Sequence, residues 1–303
     1  MEFNMDKLKI VLPEGSDERV LLAAKTLIIE RICHPILIGN KETICEFLGD
    51  TGEYTVLEPD AAELEALQAA AEAKGKTFPV TDIALAQGAA LVRDDFAQGI
   101  VGGAVATTPD VFRVYAKTIG TRQGVSRVTS CFLMEKNGQR YIFADCGLNP
   151  TSNVEQLAET AYLSSEFAKT LAIDPKVGFL SFQTIGNAGH ESIEWIAQAV
   201  SVARETYQLN CDGPLQFDAA FVPNVAIKKA PNSPVAGKVT IYIFPDLESG
   251  NIAYKIAERM GGFKATGPLF LGFAKPAHDL SRGCSVEDIV NAVKMAVKQA
   301  EIV

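Results

Sequence analysis

The sequence predicts an α/β protein built on largely parallel sheets. Short apolar runs alternate with longer helical stretches along most of the 303 residues. Apolar residues make up 48% and charged residues 21%, the balance of a chain with a real interior. Two of the apolar runs close on glycine before the next helical pattern begins, as a strand-to-helix turn does.

The elements follow in order. Residues 9–12 read as a strand, and Pro13-Glu14-Gly15-Ser16 leads into a helix over 17–30 with Ser16 as its N-cap. Residues 34–39 form a second strand. Residues 58–76 are rich in Ala and Glu and read as a surface helix with a polar face. Residues 98–101 form a strand, followed by glycines and a helix capped by Thr108 with Pro109 at its first position. Asp145-Cys146-Gly147-Leu148-Asn149-Pro150-Thr151 is a turn-rich break near the midpoint, and the domain crossing is expected there. Beyond it come a strand at 177–182, a helix at 190–207, a strand at 239–244, a helix at 251–260 and an apolar run at 267–273. The last helix spans 286–301, with Ile289, Val290, Val293, Val297 and Ala300 as its buried stripe.

Composition excludes several classes of function. The net charge of −9 argues against non-specific binding to nucleic acid or to an anionic membrane. No apolar run approaches the ~20 residues of a membrane span. The first ten residues carry four charges and no signal-like apolar core, and the six cysteines are scattered with no Cys-x-x-Cys pair. A reducing cytoplasm with free thiols is the expected setting. P-loop, dinucleotide and nucleophile-elbow fingerprints are absent, and no two of the three histidines have metal-ligand spacing.

Two segments could hold an anion. In Ser281-Arg282-Gly283-Cys284-Ser285, a hydroxyl, a guanidinium and a flexible backbone precede a helix start where Ser285 and Asp288 form a capping-box pair. In Val101 to Arg113, glycines follow a strand and Arg113 lies about one turn into the next helix. Each read alone is a plain cap or βα loop with a surface arginine. The two together favour a phosphorylated substrate.

Longer strings carry more. Asp212-Gly213-Pro214-Leu215-Gln216-Phe217-Asp218-Ala219-Ala220, Lys229 to Lys238, Ile243 to Asn251 and Asp279 to Val290 closely resemble the phosphate acetyltransferase family. Leu12 to Gly15, the Gly102 to Arg113 loop and Ala144-Asp145-Cys146 match more weakly, so the resemblance spans nearly the whole chain. It implies reversible transfer of an acetyl group between acetyl-CoA and inorganic phosphate, giving acetyl phosphate and CoA. No cofactor and no metal is implied, since coenzyme A is a substrate.

The resemblance also implies the two-domain fold of isocitrate and isopropylmalate dehydrogenases, with the site in a cleft, and a homodimer. Domain I is then expected over 1–147 and 271–303, and domain II over 148–270. By position, Asp288 matches the aspartate acting as base toward the CoA thiol, and Ser281 the serine that supports the thioester carbonyl. Arg282 and Arg113 match the arginines that hold the phosphoryl group, with Thr107 and Thr108 beside it. A carboxylate at a helix N-terminus is a poor base for a thiol of pKa ~8.5. Either burial offsets the dipole or Asp288 orients the thiol.

Departures and alternatives complete the reading. The family's basic stretch is shortened here to the region of Lys74 and Lys76, which remain the candidates for CoA contacts. His190 reads as a helix-start residue rather than a catalyst. Cys146 and Cys284 read as core residues, so direct transfer in a ternary complex is preferred over an acetyl-cysteine. The alternatives are a phosphate butyryl- or propanoyltransferase, which the Ser281 to Ser285 string disfavours, and a non-catalytic CoA- or phosphate-sensing domain. A dehydrogenase would need a metal set for which Asp212, Asp218 and Asp246 are candidates only by count.

Overall fold

The computed structural model describes residues 8–184 and 191–301. The chain divides into two compact units, one of residues 1–124 with 273–303 and one of residues 125–272. In chain order the first unit begins with β1 (Lys9–Leu12), α1 (Glu18–Ile29), β2 (His34–Ile38), α2 (Lys41–Leu48), β3 (Thr55–Leu57), α3 (Ala62–Glu72), α4 (Ile83–Arg93), β4 (Gly99–Gly102) and α5 (Thr108–Thr118). Helix α1 is fixed by its apolar spacing: Val20, Leu21, Ala23, Ala24 and Leu27 are buried on one face. Its cap is Asp17 rather than Ser16. Asp17 accepts from Arg19 N–H, and the helical ladder starts with Leu21 N–H on Asp17 O, leaving Ser16 in the preceding turn.

The second unit runs through β5 (Thr129–Lys136), β6 (Gln139–Ala144), α6 (Val154–Thr170), β7 (Val177–Leu180), α7 (Glu191–Tyr207), β8 (Cys211–Leu215), α8 (Phe217–Phe221), α9 (Pro223–Lys229), β9 (Ile241–Ile243), α10 (Leu247–Arg259) and β10 (Lys264–Leu271). Its sheet has the order β10-β5-β6-β9-β7-β8. The pairs β10–β5 and β5–β6 are antiparallel and the rest are parallel. Helix α10 starts earlier than periodicity suggested because Asp246 caps it, accepting from Ser249 N–H at 2.8 Å. His190 lies outside the described residues.

The first crossing falls after Gly124, not near residue 147. The β5–β6 hairpin explains the difference. Its turn residues Asn137 and Gly138 both take left-handed φ, 51° and 77°, as a tight hairpin turn requires. The hairpin is paired to β10 on one side and β9 on the other, so it belongs to the second sheet. The turn-rich break at 145–151 is a loop inside that unit.

The chain then returns to the first unit as β11 (Ala277–Asp279) and α11 (Val286–Ala300). All pairs of its sheet, in the order β11-β4-β1-β2-β3, are parallel. From β1 the chain steps to β2 on one side and later returns to β4 on the other. The loops after β1, β4 and β11 therefore meet beyond the carboxyl ends of adjacent strands, where such sheets bind ligands. Helix α11 closes the core by burying Ile289, Val290, Ala292, Val293, Ala296 and Val297, several of them packed with the stripe of α1, while Ala300 is only half-buried. No helix among the described residues is long and apolar enough to cross a membrane.

Candidate active site

The loop after β1 delivers Glu14. Its carboxylate accepts four backbone hydrogen bonds from the loop after β4: Gly103 and Ala104 at 3.0 and 2.7 Å on Oε2, Val105 and Ala106 both at 2.8 Å on Oε1. The glycine loop that the sequence offered as an anion cradle thus already holds an anion of the protein's own. The N–H groups of residues 103–106 are therefore not open to an external anion. Burial raises the pKa of Glu14, while the N–H groups of Ala106, Val105 and Ala104 pull it down.

Arg19, the second residue of α1, ties the same loops together. Its guanidinium pairs with Asp17 at 2.8 Å and donates to Ala104 O at 2.8 Å, Arg282 O at 2.8 Å and Cys284 O at 3.1 Å. Sequence reading assigned no role to Glu14 or Arg19. The available signal was position: a carboxylate directly after a strand, and an arginine in the first turn of the next helix.

The third residue missed is Asp279, the last of β11. It is 2% exposed. Its Oδ2 accepts from Thr108 Oγ1 at 2.5 Å, across 171 residues of chain. Its Oδ1 lies 2.2 Å from where a Cβ on Gly103 would stand, and Gly103 has φ of +104°, so no side chain is tolerated there. Burial pushes the Asp279 carboxyl up to about 7, with the Thr108 bond opposing the shift and the nearby Glu14 adding to it.

Of the predicted phosphate ligands, Thr107 and not Thr108 caps α5. Thr107 Oγ1 accepts from Asp110 N–H and donates to Asp110 Oδ2 at 2.8 Å. That leaves Thr108, the first helical residue, half-buried with its hydroxyl on Asp279. Arg113 is exposed and ion-paired with Asp110 at 3.1 Å, a contact weak enough in water to exchange for a phosphoryl group.

The loop after β11 carries the remaining residues. Ser281 and Arg282 are exposed. Ser281 Oγ accepts from Gly283 N–H at 3.2 Å, and among the described residues the Arg282 guanidinium has no ion-pair partner while its carbonyl is fixed by Arg19. The expected capping box forms: Ser285 caps α11, and Asp288 Oδ2 accepts from Ser285 N–H at 2.9 Å and Oγ at 2.8 Å. Asp288 is exposed, so the burial considered as an offset to the helix dipole is not found. Cys284 is buried and burial raises its thiol pKa. Lys74 and Lys76 are exposed on the segment joining α3 to α4. That segment leads to Asp82, the α4 cap, whose charge reaches Glu14.

In the second unit, Cys146 is fully buried and its thiol is pushed well above its ordinary value. The three aspartates of the dehydrogenase alternative are each engaged: Asp212 with Arg204 at 2.7 Å, Asp218 with Lys229 at 2.7 Å, and Asp246 as a helix cap. Among the described residues no three His, Cys, Asp or Glu side chains gather as a metal site.

Residues 2–297 match the family model described as phosphate acetyl/butaryl transferase. The phosphate acetyltransferase of Bacillus subtilis is 41% identical over 306 residues, covering 97% of this chain and 95% of that protein. A phosphotransacetylase structure from Streptococcus pyogenes superposes with a TM-score of 0.88 at 40% identity, covering 97% of this chain and 94% of that one. A 4-hydroxythreonine-4-phosphate dehydrogenase structure from Salmonella typhimurium, at 13% identity and a TM-score of 0.62 over 97% of this chain and 99% of that one, shares the fold alone.

Proposed function

The chain belongs to the phosphate acetyl/butaryl transferase family, and we propose that it catalyses reversible acetyl transfer between acetyl-CoA and inorganic phosphate. The observation that carries this reading is the convergence of the loops after β1, β4 and β11. It gathers Thr108, Ser281, Arg282 and Arg113 in one unit, on a backbone that Glu14 and Arg19 hold rigid. Arg282 and Arg113 hold the phosphoryl group, and the Thr108 hydroxyl contacts it. Thr107, whose side chain is spent on its helix, orders that contact rather than making it. Ser281 donates to the carbonyl oxygen as negative charge builds there. Lys74 and Lys76 reach the CoA nucleotide.

The CoA thiol attacks the acetyl carbon of acetyl phosphate directly, the phosphoryl oxygen leaves with the electron pair of the broken C–O bond, and the thiol proton passes to solvent or phosphate. Asp288 accepts a hydrogen bond from the thiol and aims it; its exposure supports an orienting role over that of a strong base. Neither Cys284 nor Cys146 supplies the nucleophile: burial keeps each in its thiol form. Holding the two substrates in line supplies much of the rate.

Six free thiols support a reducing, cytoplasmic setting. A homodimer is supported by an apolar stripe along α10, where Ile252, Ile256 and Met260 are 58%, 53% and 85% exposed. The test of function is thioester absorbance on mixing the protein with CoA and acetyl phosphate. Acetyl-CoA formation supports the reading. Silence with acetyl phosphate but turnover of butyryl phosphate would move the acyl specificity, and silence with both would overturn the enzyme reading.

A further inference from the structure

In the first unit the mechanism leaves one buried acid unused, Asp279, and its geometry gives it a task. Asp279 meets a single side-chain donor, Thr108, at 2.5 Å. Its other oxygen is packed against Gly103 and, among the described residues, makes no full hydrogen bond; the adjacent Leu280 N–H bonds Gly102 O at 2.8 Å and only weakly favours the charged carboxylate. A threonine hydroxyl owns one hydrogen. Whether that hydrogen points at Asp279 or outward depends on which of the two oxygens supplies the proton they share.

We propose that Asp279 is a positioning residue acting through Thr108: protonated, it donates to Thr108 Oγ1 and turns the threonine hydrogen toward the phosphoryl group, and ionised, it takes that hydrogen for itself. In the first state Thr108 is a donor to the substrate. In the second it presents a lone pair to a phosphoryl oxygen, which repels it. Phosphoryl binding and protonation of Asp279 are therefore linked, each favouring the other.

The surroundings fit this role. Glu14, held by the 103–106 loop, faces Asp279 and disfavours a second negative charge, and Arg19 and Asp82 act on Glu14 in turn. Tyr115 of α5 is fully buried, with its pKa well above the ordinary value, so it stays neutral. His278, next in β11, is buried and pushed down to about 4, so it too stays neutral. Asp279, pushed up to about 7, changes charge near neutrality, while Glu14 is held by four backbone N–H groups that favour its charged form.

The inference rests on the reading that Thr108 contacts the phosphoryl group, and the test separates the two. KM for acetyl phosphate is measured at saturating CoA from about pH 6 to about pH 8.5, since acetyl phosphate is more acidic than free phosphate and keeps one charge state there. In the wild type KM rises about tenfold across the range, the worth of one hydrogen bond to a charged group. In Asp279→Asn the amide N–H permanently takes the place of the acid proton, and KM no longer rises with pH. In Thr108→Val KM is high and flat, and Thr108→Ser restores the wild-type slope. Thermal midpoints confirm that each variant folds. If Thr108→Val leaves KM unchanged, the contact itself is wrong. If Thr108→Val raises KM but Asp279→Asn keeps the wild-type slope, the contact stands and the role of Asp279 is overturned.

Discussion

At the residue scale, the site is built from polar groups that restrain one another. Asp279 has a consequence for stability as well as binding. Its carboxyl titrates near 7 in the fold against 3.8 when exposed. Between those values the native state keeps a proton the unfolded chain has lost, so stability falls as pH rises and levels off above the folded value. Asp279→Asn removes this penalty, which grows by about 1.4 kcal/mol for each pH unit separating the unfolded value from the folded one. The thermal midpoint of the variant should exceed the wild type by more at pH ~8 than at pH ~5. A gap independent of pH would mean the carboxyl is ionised throughout. Arg113 behaves differently because it is exposed. Arg113→Ala should cost less than about 1 kcal/mol of stability, since it loses only a surface ion pair. It should still raise KM for acetyl phosphate about tenfold or more, measured in the thioester assay.

At the element scale, loops rather than helices carry the precision. The 103–106 loop has no ladder of its own, and four of its N–H groups end on Glu14. Glutamine at position 14 offers one acceptor oxygen instead of two. Glu14→Gln should destabilise by about 2 kcal/mol, read by denaturant titration, and cut kcat as well, since the 103–106 loop that leads to Thr108 loosens. Ser285→Ala removes the cap of α11 and costs about 1 kcal/mol. It also removes one of the two hydrogen bonds that hold Asp288, the one from Ser285 Oγ, and keeps the one from the backbone N–H, so its effect on kcat should exceed its effect on stability. A kcat equal to wild type would show that the orientation of Asp288 does not matter.

At the scale of the whole molecule, the first unit is discontinuous. β11 is one edge of its sheet, and α11 buries six side chains in the core it shares with α1. A chain ending at residue 272 should therefore lose the first unit, seen as rapid proteolysis of residues 8–124, while the second unit keeps every strand of its sheet. The exposed stripe of α10 makes the corresponding prediction for assembly. Ile256→Glu should shift the light-scattering mass toward the monomer if α10 is the dimer contact, and leave it unchanged otherwise.

The sequence by itself determined the alternation of strand and helix, most of the buried stripe of α11, the Ser285–Asp288 capping box and the family, because these rest on local periodicity, local side-chain chemistry and long unbroken strings. Two of the element starts it misjudged were those where neighbouring residues compete to cap, Ser16 with Asp17 and Thr108 with Thr107, and a third was α10, whose cap Asp246 lies ahead of its periodic run. The β5–β6 hairpin was not read from the sequence, and which sheet it joins is set by its pairing to β10 and β9. Only the tertiary structure decided that the glycine loop is filled by Glu14, that Arg19 binds three loops, and that Asp279 meets Thr108 across 171 residues. Those contacts arise because β1, β4 and β11 lie side by side. Strand adjacency is a property of the folded sheet, and no local pattern in the chain encodes it.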